Sequence, residues 1–508
     1  MKWIRRIAIG LLAVVLLAAG AFWLWAPPVN VPFKGMLANL LPALFTTPSA
    51  DAATVKSRLS VPEGYGIGLF ARDVPDARML RVTGHGDLLV ASPGKGTVFW
   101  LARDANGDGE SDERQVLLKG LDGPNGLDLR DGYLYVAEQS QVGRIRFDDA
   151  AGRVDGSYEV IIAGLPAGGN HWRKTIRFGP DGLLYLNIGS SCNVCLEQDD
   201  RRAAMLRYTA NGKFVDIYAT GLRNSAGLDW RADGALFATD NGRDLLGDDF
   251  PPCELNEIRQ GGFYGWPFAN GDRVPDPDFG AGREAVIQAS IPPAFPFRAH
   301  NAPLGIVFLR SAKQPAQFQG DALVALHGSW NRSRKDGYKV VALHWNADGT
   351  ISVSDFVTGF LVDENVIGRP AELAEDADGN IYVSDDYANA VYRIVPGGSQ
   401  TLDIGGRGAT AAAAPAAPAD ASLVARGATA FGQRGCHECH ALGGDGKDGR
   451  VVLAGLAARY DAASLASYLA QPRPPMPPVE DAQLRAALAA FLLELPQRGA
   501  ARPVGNAP

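Results

Sequence analysis

The chain has 508 residues, 56 of them acidic and 49 basic, for a net charge of −7. That length exceeds what one hydrophobic core ordinarily organises, so more than one domain is expected. No dense basic run occurs beyond the extreme N-terminus, which argues against a nucleic-acid partner and for small molecules and other proteins.

Lys2, Arg5 and Arg6 precede an apolar stretch from Ile7 to Trp25, long enough at helical rise to cross most or all of a hydrocarbon layer. Residues 1–27 therefore read as a signal-anchor, an N-terminal transmembrane helix. A cleaved signal peptide with Ala19-Gly20-Ala21 at its small-residue site is the alternative, although Phe22-Trp23-Leu24-Trp25 carries the apolar run past that site. Either way the positive-inside rule sends the remainder out of the cytoplasm, and the expected location is the inner membrane with the folded domains in the periplasm. Residues 28–55 read as a Pro-containing connector.

From 56 to 400 a Gly/Asp pair repeatedly precedes a short β-prone run. The copies are Gly86-Asp87-Leu88, Asp131-Gly132-Tyr133, Asp181-Gly182-Leu183, Asp233-Gly234-Ala235, Gly320-Asp321-Ala322 and Asp378-Gly379-Asn380. Asp-Gly between apolar runs signals a hairpin, because a type I′ turn needs the positive φ that Gly adopts freely. Most copies lie about 45 to 57 residues apart, the spacing of propeller blades. The expectation is an all-β six-bladed β-propeller, with a pair of irregular sandwiches as the alternative. Phe250 to Gly282, rich in Pro, Gly and aromatics, fills the one long gap, and such insertions are usually functional.

Within this region Asp104, Asn106 and Asp108 have the oxygen spacing of a calcium loop, but position 12 is Gln115 where a bidentate Glu is wanted. A second Ca²⁺ site and a plain acidic turn both fit. Cys192 and Cys195 form a CxxC followed by Leu196, so a local disulfide is expected there; Cys253 is left without an assigned partner.

Residues 401–421 collapse into an Ala/Pro linker, and 422–508 turn helical. There Cys436-His437-Glu438-Cys439-His440 carries the spacing of covalent haem c attachment, with two thioethers and an adjacent axial imidazole. No Cys or His follows His440, which leaves no second ligand pair for zinc. Met476, in Pro474-Pro475-Met476-Pro477-Pro478, is the only Met downstream and hence the expected sixth iron ligand. His440/Met476 coordination suits electron transfer. A small all-α cytochrome c domain is expected, closed by a helix over 481–495 that buries Leu484, Leu488, Phe491 and Leu492.

The propeller region resembles the soluble glucose and sorbosone dehydrogenase family, which uses pyrroloquinoline quinone (PQQ). The resemblance rests on Asn170-His171-Trp172-Arg173-Lys174-Thr175-Ile176-Arg177-Phe178-Gly179-Pro180-Asp181-Gly182, on Gly221-Leu222-Arg223-Asn224-Ser225-Ala226-Gly227-Leu228, on Ala238-Thr239-Asp240-Asn241-Gly242-Arg243-Asp244, and on Glu254-Leu255-Asn256-Glu257-Ile258 with Gly261-Gly262-Phe263-Tyr264-Gly265-Trp266-Pro267. It implies His171 as the base, Arg223 and Asn224 at the quinone oxygens, and backbone carbonyls of Gly242 and Arg243 on a Ca²⁺. Arg332 and Arg369 become candidates for the cofactor carboxylates, with Lys339 as the substitute for Arg332. One departure is Asn170, where the family places an acidic residue before the base. The implied protein is a membrane-anchored quinohaemoprotein dehydrogenase. It would oxidise a sugar, aldehyde or alcohol and pass electrons through haem c to a soluble cytochrome, terminal oxidase or quinone. The competing readings are a non-catalytic propeller binding module beside an electron-transfer domain, and a lactonase-like calcium hydrolase.

Overall fold

The computed structural model describes residues 50–398 without a break, together with 3, 10, 11, 13–17, 20, 421–438, 440–442, 451–453, 456, 462–470, 472 and 476–494. Most of the expected anchor, the connector through residue 49, the linker through residue 420 and Cys439 lie outside the described residues. Among the described residues no helix is long and apolar enough to cross a membrane. The chain divides into two compact units, 1–408 and 409–508.

In the first unit six antiparallel sheets of four principal strands follow one another along the chain. Their inner strands are Leu80–Val82, Gly126–Arg130, Lys174–Phe178, Ser225–Trp230, Pro303–Phe308 and Pro370–Glu375. Each inner strand packs on the next, and the last returns to the first, which closes the ring of a six-bladed propeller. Closure is also built into the sixth sheet, whose outer strand is the N-terminal Tyr65–Ala71, paired Tyr65↔Pro396 through Leu69↔Tyr392. The helix Ala52–Arg58, capped by the Asp51 carboxylate on the Thr54 N–H, places Val55 in the same core, so the propeller unit begins a few residues before the expected 56.

All six Gly/Asp copies are the turns between first and second strands. Only Asp131-Gly132, with φ of 51° and 74°, has the doubly positive backbone of a type I′ turn. Gly86, Gly182, Gly234 and Gly379 instead stand alone at positive φ in wider turns that share one pairing, seen as Gly182 N–H to Gly179 O and Gly179 N–H to Leu183 O. The recurring signal is therefore one left-handed glycine per blade, which a Cβ would strain.

The second unit has helices Ala421–Gln433, Ala462–Ala470 and Ala482–Leu493, the last capped by Asp481. Leu488 and Leu492 are buried as expected, and Leu484 and Phe491 flank them. The first and last helices cross at Gly427, where an added Cβ would fall 2.0 Å from the Ala487 carbonyl oxygen and 2.7 Å from the Phe491 Cβ. Gly427→Ala should therefore lower the thermal midpoint of this unit, at an overpacking cost of about 1–3 kcal/mol, read from the haem absorbance during melting.

Candidate functional site

The starting ends of all six inner strands line one cavity on the propeller axis, which includes His171, Asn224, Arg78, Arg173, Asn125 and Glu372. Farther along the strands, Arg81 bonds Asp128 at 3.1 Å and Arg177 bonds Asp229 at 3.2 Å, so paired charges plug the channel between this cavity and the opposite face.

His171 sits on the loop that enters the third blade. The loop is strapped down by Asn170 N–H to Ser191 O and His171 N–H to Ser190 O. Behind it the fully buried Lys174 donates to the carbonyls of Pro166 and Trp172 at 2.9 and 2.8 Å, and burial pulls its pKa down to about 8. Gly189 is required opposite, because a Cβ there would lie 2.5 Å from the His171 Cβ. Burial, reinforced by the charge of Arg223, pulls the His171 pKa down to about 3. The imidazole is therefore neutral at physiological pH and free to accept a proton.

That depression carries a sign for stability. Between about 6.5, its ordinary value, and about 3 the unfolded chain binds more protons at this residue than the folded one. Its contribution to folding is complete above pH 6.5 and is lost as pH falls through that window. An NMR pH titration of His171 should show no transition near 6.5, and His171→Gln should make urea stability less sensitive to acid.

Arg223 is buried behind the wall and makes five hydrogen bonds. It donates to Asn193 O and Oδ1 at 2.9 and 2.8 Å, to the carbonyls of Asn241 and Gly242 at 3.0 and 2.9 Å, and to the Asp244 carboxylate at 3.0 Å. Asn224 follows it onto the cavity wall, its N–H held by Asp240 at 2.5 Å. His171, Arg223 and Asn224 are thus brought together.

The other cofactor candidates are placed differently. Gly242 accepts from Arg223 through its carbonyl, which keeps a second lone pair, and the Arg243 side chain is locked by Asp276 at 2.7 Å and Asp278 at 2.9 Å of the long insertion. Beside them the strand register sets Asp240 opposite Glu254. Burial raises these carboxyls to about 7 and about 8, and the charge of Asp240 adds to the rise at Glu254. Neither was assigned from sequence, although both stand inside the segments that carry the resemblance.

Arg332 is engaged by the carbonyls of Asp248 and Ala299 and by Asp249, Arg369 by the carbonyls of His327 and Gly328, and Lys339 by Asp355 on a neighbouring strand. None of the three lines the cavity. Arg78 and Arg173 do. Arg78 pairs with Asp386, whereas Arg173 stacks on Trp172 and has no ion pair or hydrogen bond among the described residues. Enclosure and repulsion from Arg78 pull its pKa down to about 10. An unpaired guanidinium beside a second arginine fits a polycarboxylate ligand.

Asp104 is engaged within its own turn and by one arginine. It accepts the N–H groups of Gly107, Asp108 and Gly109 and the Arg393 guanidinium, while Asn106 and Asp108 accept N–H groups within the same turn. The acidic turn latched to Arg393 is the arrangement found. Cys192 and Cys195 are joined as a disulfide, and Cys253 is free and buried, its thiol pushed up to about 11 by burial.

In the second unit Cys436 and Met476 pack against one apolar cluster that includes Phe431, Leu465, Leu469 and Leu488. His440 Nδ1 is buried without a hydrogen-bond partner among the described residues. A thiol, an imidazole and a thioether on this small helical unit fit haem c.

Residues 133–393, just over half of the chain, match the family model described as glucose/sorbosone dehydrogenase, and 424–496 match that of cytochrome c. An uncharacterised protein of Borreliella burgdorferi is 27% identical over 368 residues, covering 69% of this chain and 94% of the relative. A pyrroloquinoline quinone-dependent pyranose dehydrogenase of Coprinopsis cinerea is 24% identical over 408 residues, covering 66% of this chain; the chain spans only 54% of that relative. The holo PQQ domain of the Coprinopsis cinerea pyranose dehydrogenase superposes with a TM-score of 0.58 at 21% identity, covering 68% of this chain and 98% of that domain, which shows the shared fold.

Proposed function

The chain belongs to the glucose/sorbosone dehydrogenase family and carries a cytochrome c domain, and on that premise we propose that it is a quinohaemoprotein dehydrogenase. Its substrate class is an aldose, a sorbosone-like aldehyde or a related alcohol. The observation that carries the reading is the neutral His171 beside Asn224 on a cation-lined axial cavity, with Arg223 fixed behind them. The pyranose activity named for the fungal relative supports a cyclic sugar.

Bound PQQ supplies the hydride acceptor in such a site. Arg78 and Arg173 would hold its carboxylates and Asn224 its quinone oxygens, with Arg223 fixing the segments behind that wall. Asp240 and Glu254 would be oxygen donors for Ca²⁺. A ring nitrogen of His171 takes the substrate hydroxyl proton, and burial keeps that nitrogen unprotonated beforehand. Cys436, Cys439, His440 and Met476 would hold a haem c, whose chemistry would be one-electron transfer toward a respiratory acceptor such as a soluble cytochrome, an oxidase or a quinone. The N-terminal apolar stretch would anchor the protein with these domains in the periplasm.

Purified protein titrated with PQQ in the presence of Ca²⁺ should bind it saturably, and Arg173→Ala should weaken that binding about tenfold, the loss of one charge-assisted contact of roughly 1.4 kcal/mol. Unchanged affinity in the variant would remove Arg173 from the cofactor site; no quinone binding at all would leave the propeller as a binding module.

A further inference from the structure

The CxxC loop is hydrogen-bonded to His171 through Ser190 and to Arg223 through Asn193. Ser190 Oγ stands 2.8 Å from His171 Nδ1 and 2.7 Å from the carbonyl oxygen of Cys192. A carbonyl only accepts, so the single hydroxyl hydrogen goes to Cys192 and Ser190 offers His171 nothing but lone pairs. Nδ1 must then be the donor. In a neutral imidazole this leaves Nε2 as the unprotonated nitrogen.

The next residue of the loop acts on the second group. Asn193 accepts from Arg223 through both its backbone carbonyl and its Oδ1, and its amide donates to the Asp244 carbonyl at 3.1 Å. Asp244 in turn gives its N–H to Asn193 Oδ1 at 2.8 Å and its carboxylate to Arg223 at 3.0 Å. Ser190 N–H closes the arrangement on the Arg223 carbonyl at 2.8 Å. Glu197 anchors the far side, accepting from the Ser191 N–H at 2.6 Å and its hydroxyl at 2.8 Å. Cys192 and Asn193 therefore sit inside the small ring closed by the Cys192–Cys195 bond. Closing so short a ring restricts the backbone that aims their carbonyls. The loop is only half-buried, within reach of small thiols.

We propose that the Cys192–Cys195 disulfide is a positioning element of the reaction: through the Cys192 carbonyl and Ser190 it fixes His171 as the Nδ1–H tautomer with Nε2 as the proton acceptor, and through Asn193 it aligns Arg223. The proposal rests on the reading of His171 as the base. It also makes the site sensitive to reduction. A dithiol delivers two electrons and two protons to the bond, becomes a cyclic disulfide itself and leaves two cysteine thiols. With the loop released, the Ser190 hydroxyl can donate to Nδ1 as well as accept from it, and part of the population then presents Nε2–H, a donor where the reaction needs an acceptor.

The test is ¹⁵N NMR of histidine-labelled full-length protein with haem attached and no PQQ or sugar, the His171 signal being identified by its loss in His171→Gln. Wild type should show a protonated Nδ1 and an unprotonated Nε2. Ser190→Ala and the double variant Cys192→Ser, Cys195→Ser should show mixed tautomers, and Ser190→Thr should restore the wild-type pattern. In PQQ- and Ca²⁺-loaded protein the double variant, or wild type treated with dithiothreitol, should lose at least tenfold in kcat, the scale of a misplaced catalytic group. An Nε2–H tautomer in wild type, or a tautomer unchanged in both Ser190→Ala and the double variant, overturns the proposal. If the double variant does not fold, Ser190→Ala with its threonine rescue decides the matter alone. Because the tautomer is read without cofactor or substrate, a correct tautomer in a protein that oxidises no sugar would sink the dehydrogenase reading and leave this one standing.

Discussion

His171→Ala should lower kcat/KM for substrate-driven haem reduction by about 10³-fold, the middle of the range for removing a general base and equivalent to roughly 4 kcal/mol of barrier. The side chain contributes little else that a spectroscopic probe would notice. Among the described residues its side chain is hydrogen-bonded to Ser190, and the loop that carries it is held by backbone bonds and by Lys174, none of which the substitution removes. The haem spectrum, reduction by dithionite and PQQ affinity should therefore be nearly unchanged. Activity that survives the substitution would transfer the role of base elsewhere. Loss of haem reduction by dithionite would show instead that the cytochrome unit had been damaged.

Arg223→Leu should be the most damaging single change in the propeller. Three backbone carbonyls, the Asn193 side chain and the Asp244 carboxylate lose their donor together. Stranding buried acceptors and a partly buried carboxylate costs about 3 kcal/mol, read as a lower urea midpoint. The Asn193 and Gly242 segments would no longer be held, and PQQ affinity should fall by at least tenfold. Arg223→Lys should recover little of this. An ammonium cannot reach Asn193 and Gly242 on opposite sides of a planar fork while also meeting Asp244. A lysine variant with wild-type quinone affinity would mean that charge alone matters here.

The fold was legible because its signal is periodic. One turn recurs in each blade, and the glycine at its left-handed position survives in all six copies even though five of them are not type I′ turns. The cytochrome c unit was legible from its attachment motif, and its expected iron ligands follow by elimination, since few Cys, His and Met residues remain near the C-terminus. His171, Arg223 and Asn224 were legible through a resemblance long and ordered enough to assign positions one by one.

What failed depended on loop paths. Arg332, Lys339 and Arg369 follow segments whose length does not set where their side chains end, and carbonyls or a neighbouring carboxylate capture all three. Arg173 was within sight, two residues past the base, but that an arginine there stays unpaired depends on Trp172 and Arg78 beside it. Asp240 and Glu254 are 14 positions apart and meet only because their strands pair in that register. The CxxC announced its disulfide. That its carbonyls aim at Ser190 and Arg223 requires the neighbouring blade to be in place.

The central claim is that electrons taken from a sugar in the propeller leave through the haem. It is tested most directly by loading the full-length protein with PQQ and Ca²⁺, adding a limiting amount of an aldose, and following the haem absorbance without any other acceptor. The account predicts haem reduction that requires PQQ and is absent in His171→Ala. Because a hydride carries two electrons and each haem accepts one, two haems should be reduced for each sugar oxidised when protein is in excess. A haem that stays oxidised with every aldose, aldehyde and alcohol tried, in protein that has bound PQQ, would contradict it.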